Sequence, residues 1–330
     1  MISDNVIIKV EDLKKWFPIR KGVFVSLFSK KQEFIRAVDG VSFEIVKGEV
    51  FGLVGESGCG KTTVGKTILR IIEPTSGKVY FKGIDILKLS RSEIRKLRRR
   101  MQLIYQDPFE SLNPRMTIYN LVGEPLSINK LVNNVDEKVE KVIKALEDVE
   151  LKPPETFLDK YPHELSGGQR QRVAIARALV LQPEFIVADE PVSMLDVSIR
   201  AEILEIMLKL KEHYGISYLF ITHDLALARH ICDKIAIMYL GRIMEIGDVE
   251  DVMRNPMHPY TKALLDAVPD ITESKLKISI KGFVPQSPIN IPPGCRFHPR
   301  CLETMDLCRK EEPQLLKVNG KHYVACHLHN

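Results

Sequence analysis

The sequence predicts an α/β protein with a largely parallel sheet, and three observations carry that expectation. A buried-strand run, Val50-Phe51-Gly52-Leu53-Val54, passes through the glycine-rich turn Gly55-Glu56-Ser57-Gly58-Cys59-Gly60 into a helical stretch from Lys61 to Ile72. A second apolar run, Phe185-Ile186-Val187-Ala188, ends in two adjacent carboxylates, Asp189 and Glu190. Beyond residue 165 the patterns alternate: a helical run, a strand at 184–189, a helix at 198–213, a strand at 217–222 and a helix at 224–232. Such alternation calls for parallel strands covered on both faces.

The other elements follow in chain order. Apolar runs near 6–12, 41–46, 49–54 and 77–82, with Gly-containing turns between them, predict strands, and the early ones form an antiparallel β subdomain. Residues 18–36 hold Val23-Phe24-Val25-Ser26-Leu27-Phe28 between basic runs, which suggests an extended loop with an apolar tip. In the dense basic run Arg91 to Arg100, the spacing of Ile94 and Leu97 predicts a solvated helix with those two residues facing inward. Helical periodicity at 117–126 and 135–149 is punctuated by Asn113-Pro114 and Lys152-Pro153-Pro154, and reads as an inserted helical subdomain. A hairpin from Ile235 to Ile246 closes the core.

The first turn, completed by Lys61 and Thr62, matches G-x-x-x-x-G-K-[ST] in the strand-to-helix context that this pattern requires. The core is therefore expected to be a phosphate-loop (RecA-like) NTPase. Gly55, Gly58 and Gly60 let backbone N–H groups converge on phosphates, Lys61 adds a fixed cation, and Thr62 offers a hydroxyl to Mg²⁺. Ser57, Cys59 and Thr63 complete the loop that holds the nucleotide. Asp189 is placed to hold the metal through its water shell, and Glu190 to polarise the attacking water. Cys59 reads first as a small residue that fits the loop; as the second reading, the N-terminal end of a helix and the Lys61 ammonium lower its pKa, and alkylation there is expected to block ATPase activity while bound Mg-ATP protects. Cys232, on an apolar helix face, reads as core.

Leu165-Ser166-Gly167-Gly168-Gln169 opens a helical run with glycines, so that exposed N–H groups face an anion. With this segment the chain resembles the ABC-type ATPases over about residues 6 to 250, since it matches their signature sequence. The resemblance implies that Ser166, Gly168 and Gln169 of one chain complete the γ-phosphate site of another, so that two chains close head to tail around ATP. It further implies that Gln106 contacts the metal and couples the site to the helical subdomain, that His223 holds the γ-phosphate, and that Asp196 belongs to the inter-subunit loop, where Met194 replaces the more usual alanine. Phe17 is matched to the aromatic that stacks on adenine, with Trp16 as the fallback. Residues 1–106 are then the first half of the ATP-binding core, 107–164 the helical subdomain, 165–250 the second half and 251–330 an extension.

Composition agrees with this reading. The net charge of +5, from 48 basic and 43 acidic residues, is too mild to argue for a nucleic-acid partner. No apolar run reaches the ~18 residues that a membrane span needs, and the first residues do not form a secretion signal, so a cytosolic chain is expected.

The tail narrows the resemblance. Asn255-Pro256-Met257-His258-Pro259-Tyr260-Thr261-Lys262-Ala263-Leu264-Leu265 is similar to a stretch that follows the ATPase core in oligopeptide and dipeptide importers. Cys295, Cys301, Cys308 and Cys326, spaced C-x₅-C-x₆-C-x₁₇-C, suggest a metal rather than disulfides in a reducing compartment. Four thiolates suit either Zn²⁺ or a [4Fe–4S] cluster, with His298, His327 and His329 as spare ligands. The importer resemblance favours iron–sulfur, in a small, irregular extension that the cross-link holds together. It also implies a second ATP-binding subunit, with a heterodimer favoured over a homodimer, two transmembrane permease subunits, an extracytoplasmic peptide-binding protein, and a peripheral position on the cytoplasmic face of the membrane. A soluble ABC-type ATPase of DNA repair or translation is the alternative, and a purely regulatory subunit would require a degenerate site.

Overall fold

The computed structural model describes residues 5–19, 32–267 and 291–329. These residues fall into two compact units: Met1–Ile45, Val50–Lys88 and Thr222–Asn330 in the first, Val46–Glu49 and Leu89–Ile221 in the second.

In the first unit, β1 (Val6–Pro18), β2 (Phe34–Val46), β4 (Ser76–Phe81) and β5 (Ile84–Asp85) form an antiparallel sheet in the order β2-β1-β4-β5. Ile8 pairs with Phe81 and Val10 with Val79, and all four side chains are buried, so the apolar alternation sets the register. The strands are longer than expected at their outer ends. The loop tip Val23–Phe28 lies outside the described residues. A second set of strands runs in the order β11-β12-β10-β9-β3. There β3 (Val50–Val54) lies parallel to β9 (Lys234–Tyr239), and β9 turns at Leu240-Gly241 into β10 (Arg242–Asp248) as the hairpin pattern predicts. Helix α1 (Lys61–Ile68) follows β3, and α8 (Leu225–Ile231), α9 (Val249–Arg254) and α10 (Pro259–Asp266) complete the unit.

In the second unit, β6 (Met101–Ile104), β7 (Phe185–Asp189) and β8 (Ser217–Thr222) are parallel, with Met101 opposite Phe185 and Phe185 opposite Ser217. Every residue of β7 and β8 is buried, which accounts for their unbroken apolar runs. The helices are α2 (Arg91–Leu97), α3 (Pro108–Ser111), α4 (Ile118–Ile128), α5 (Val135–Asp148), α6 (Gly167–Leu179) and α7 (Val197–Tyr214). Ile94 and Leu97 of α2 face inward as the spacing predicts, and a Ser90–Glu93 capping box starts the helix. In the helical insert, Leu121, Val122 and Leu126 of α4 and Val142 and Leu146 of α5 are buried, while Thr117 and Asn134 cap the two helices.

The cysteine-rich tail is more regular than the sequence reading expects. Strands β11 (Leu316–Asn319) and β12 (His322–Val324) form a hairpin about Gly320, and β12 pairs with β10, Glu245 opposite Val324. The signal was present in Asn319-Gly320, a turn dipeptide between alternating residues. This attachment buries Glu245 completely. Its carboxylate accepts the N–H groups of Met257 and His258 at 2.8 and 2.9 Å and meets His322 Nε2 at 2.6 Å. Burial opposes the charge, yet these bonds outweigh it and hold the carboxyl below its ordinary 4.5.

Glu245→Ala leaves two backbone donors and an imidazole unpaired in the interior, and is expected to cost about 3–5 kcal/mol in chemical denaturation. Because the folded-state pKa of Glu245 is depressed, its contribution is complete above pH 4.5 and is lost as the pH falls below that. The gap between wild type and Glu245→Ala should therefore narrow in acid.

Candidate ATP site

The phosphate loop of the first unit is shaped by close backbone approach. A Cβ on Gly60, where φ is +109°, would stand 2.0 Å from the Ala37 carbonyl oxygen, and one on Gly55 would stand 2.2 Å from that of Met238. Only glycine fits at either place. Gly241 N–H donates to Cys59 O at 2.9 Å, tying the loop to the β9–β10 turn. Gly58 also has positive φ but meets nothing within 4 Å, so its role is conformational. Lys61 is buried, and its Nζ donates to the carbonyls of Gly55 and Glu56 at 2.7 and 3.0 Å. In this state the lysine spans the loop that it is expected to share with phosphate. Thr62 and Thr63 follow on the first turn of α1, half-buried.

The acidity of Cys59 departs from the second reading. Its thiol is 4% exposed, and burial pushes its pKa up against the pull of Lys61, whose Nζ lies 3.8 Å away. Desolvation of the thiolate outweighs the nearby cation. Cys232 is core as predicted, packed beneath Gly52.

Phe17 and Trp16 are neighbours on β1, and their side chains have different partners. Trp16 Nε1 donates to Asp39 at 2.9 Å, and Arg36 covers its ring at 4.7 Å. Phe17 is half-buried, with the Lys15 ammonium over its ring at 4.9 Å. A flexible lysine is easily displaced from an aromatic face, so Phe17 is the better placed of the two to stack on a base. His223 is exposed on the turn between β8 and α8, and Asp224 caps α8.

In the second unit, Asp189 is buried at the end of β7, and Glu190 follows with φ +46°, a left-handed conformation uncommon outside glycine. Glu190 N–H donates to Ile221 O at 2.9 Å. Gln106 Nε2 reaches Glu190 Oε2 at 3.1 Å, so the structure brings these two predicted residues together. Ser166 caps α6 reciprocally: Gln169 N–H donates to Ser166 Oγ at 3.3 Å, and Ser166 N–H to Gln169 Oε1 at 3.0 Å. Gly168 lies under Ile199 of α7, where a Cβ would come within 2.7 Å of its Cγ2. That glycine serves packing within the chain, which spacing alone does not reveal. Asp196 is exposed at the start of α7, between Met194 and Val197, whose side chains are 66% and 79% exposed.

The four tail cysteines are electrostatically coupled. Burial pushes Cys295 and Cys326 up to about 11, and the charges of Cys301 and Cys308 act on both. Their placement does not match a ready-made site: among the described residues, no group of three or more His, Cys, Asp or Glu is arranged to hold a metal ion. His298, His327 and His329 each use a ring nitrogen on a backbone carbonyl, those of Cys295, Glu311 and Met257. Among the described residues no helix is long and apolar enough to cross a membrane.

Comparison with known proteins agrees with these features. Residues 38–193 match the family described as ABC transporter, and residues 244–308 the family described as oligopeptide/dipeptide transporter, C-terminal region. The chain is 46% identical to the oligopeptide transport ATP-binding protein AppF of Bacillus subtilis over 99% of both chains. It is 47% identical to the dipeptide transport ATP-binding protein DppF of Haemophilus influenzae, over 95% of this chain and 94% of that one. Among solved structures, the ATP-binding cassette MJ0796, dimeric in a post-hydrolysis state with ADP and Pi, superposes with a TM-score of 0.64 at 30% identity, covering 74% of this chain and 99% of that one.

Gly60→Ala is expected to abolish nucleotide binding in an equilibrium titration, because the methyl group meets a carbonyl that cannot move away. Gly58→Ala should lose only about 1 kcal/mol of stability from its strained φ and still bind. Cys59 in the native chain should react with iodoacetamide far more slowly than in the unfolded chain, as mass mapping of the modified peptide would show.

Proposed function

The chain belongs to the ABC transporter family, as one of its oligopeptide/dipeptide transport ATP-binding proteins, and we propose on that basis how its residues divide the work. It is an ATP-hydrolysing subunit that powers a membrane importer of peptides, acting on transmembrane permease subunits. The relatives do not favour a soluble ATPase of DNA repair or translation. The observation that carries the reading is the phosphate loop, the capped signature helix and the importer-type tail in one chain.

Lys61 and the loop N–H groups hold the β and γ phosphates. Thr62, Asp189 and Gln106 are the residues that would hold Mg²⁺, which when bound would neutralise charge on the phosphates. Glu190 orients the attacking water, a role supported by the bond from Gln106 Nε2 that holds its carboxylate in place. His223 contacts the γ-phosphate, and Phe17 stacks on adenine. Ser166, Gly168 and Gln169 of a second subunit complete the site, with Asp196 in the loop between the subunits. The exposed apolar side chains of Met194 and Val197 beside Asp196 support an intermolecular seam there. We read the pair as a heterodimer with a sister ATPase at the cytoplasmic face of the membrane, driving two transmembrane permease subunits that take peptide from an extracytoplasmic binding protein, so that the pair itself does not touch the cargo.

Cys295, Cys301, Cys308 and Cys326 are read as ligands of a [4Fe–4S] cluster, with Zn²⁺ second, on the donor chemistry of four thiols within one short tail. The group would act as a cross-link within the tail. Adjustment of the thiols is required, since among the described residues no three stand arranged for a metal ion.

Glu190→Gln should lower ATP turnover by about 10²–10⁴-fold while Mg-ATP still binds, and near-normal turnover would remove Glu190 from its role. Anaerobically purified chain should carry about four irons per protomer with broad visible absorption, both lost in Cys301→Ser. Colourless, iron-free protein would overturn the cluster.

A further inference from the structure

The loop between the first two clustered cysteines, Cys295-Arg296-Phe297-His298-Pro299-Arg300-Cys301, lies against the nucleotide half of the first unit. Arg300 has a side chain only 6% exposed, and its two terminal nitrogens donate to the two carboxylate oxygens of Glu56 at 2.8 and 3.0 Å. The guanidinium also lies near the rings of Tyr239 and Phe297. Glu56 is the second residue of the phosphate loop. Its carbonyl accepts from Lys61 Nζ, and its N–H donates to Tyr260 Oη at 3.1 Å. Arg296, also buried, pairs with Asp39, the residue that holds Trp16 beside Phe17. One arginine thus reaches the phosphate loop itself, and the other reaches Asp39 on β2, which in turn holds Trp16 beside Phe17.

A carboxylate in an anion-binding loop is an electrostatic liability. Unpaired, Glu56 would repel a triphosphate across a short distance in a partly dehydrated site, where charges act more strongly than in bulk water. A fork-shaped guanidinium both cancels that charge and fixes the side chain in one orientation.

We infer that Arg300 is a positioning residue for ATP: by pairing with Glu56 it neutralises and braces the phosphate loop, so that the cysteine loop of the tail sets nucleotide affinity. Arg300 acts on the phosphates through Glu56, without touching them. This rests on the ATPase reading above.

The test is a charge cycle in the full chain, with the Kd of Mg-bound fluorescent ATP measured by equilibrium titration beside kcat and KM for ATP. Arg300→Gln should raise Kd and KM about tenfold, with kcat within about twofold of wild type. Glu56→Gln alone removes the repelling charge but also loosens the brace, and should raise Kd by less than Arg300→Gln does. The double variant should recover to within about threefold of wild type, although both stabilising arms are gone, because the repelling charge left with them. Raised salt should narrow the Arg300→Gln defect. Should Arg300→Gln not fold, Arg300→Lys keeps the charge and loses the fork, and should raise Kd about threefold. The inference is overturned if Arg300→Gln binds within twofold of wild type, or if the double variant binds as weakly as Arg300→Gln, which would mark a purely structural role. Wild-type chain that binds no Mg-ATP would sink the ATPase reading and this inference together, whereas normal wild-type binding with unaltered variants sinks the inference alone.

Discussion

The geometry of the first unit depends on two places where the phosphate loop comes so near to carbonyl oxygens that only a hydrogen fits between. At Gly60 the neighbour is Ala37, and at Gly55 it is Met238, one residue before the end of β9. Close approach lets the Gly241 N–H reach Cys59 O, and lets Lys61 lie folded across the turn onto the carbonyls of Gly55 and Glu56. The loop is thereby held in shape before any phosphate arrives, and a preorganised cradle loses less entropy on binding. The same proximity buries Cys59 and makes it a packing residue, with a thiol less acidic than the nearby lysine would suggest.

The second unit relies on a different device, the reciprocal satisfaction of polar groups. Ser166 and Gln169 each cap the other at the start of α6, and Gln106 and Glu190 meet through a single hydrogen bond. Helix starts and strand ends leave donors and acceptors without partners in the chain, so catalytic and binding side chains placed there also serve the fold. Glu190 illustrates the tension: its left-handed backbone is held by Ile221 O, a cost of the kind found where geometry serves chemistry.

The tail belongs to the first unit and is joined to it through buried charge. Glu245 has no exposed surface and gathers donors from Met257, His258 and His322, so a segment before α10 and the β12 strand meet on one carboxylate. Arg296 and Asp39 make a second such junction; burial works against the aspartate's charge, and the arginine more than compensates, holding the carboxyl below its ordinary value. Such pairs stabilise little relative to apolar packing, but they penalise every arrangement in which one partner is buried alone. Arg300 and Glu56 extend that logic to the phosphate loop.

Short-range patterns were enough for the phosphate loop, the paired carboxylates at the end of β7, the inward residues of α2, the hairpin of β9 and β10, and the helices of the insert. Each of these is written within a dozen or so neighbouring residues, as glycine placement, apolar period or proline punctuation. Residues far apart in the chain decided the rest. The sequence separation of 244 between Glu56 and Arg300 hides their pairing from any local reading, and Gly168 looks like an anion-facing glycine until Ile199 is seen above it. The fit of Cys59 as a small buried residue was legible, but the direction of its pKa was not, because desolvation depends on which other segments cover it. Only the Asn319-Gly320 turn of the tail was legible and overlooked. Local sequence determines backbone conformation and residue chemistry, because torsional and capping preferences act over a few residues. Burial and charge pairing across the chain had to wait for the tertiary structure, because they depend on which distant surfaces exclude water from one another.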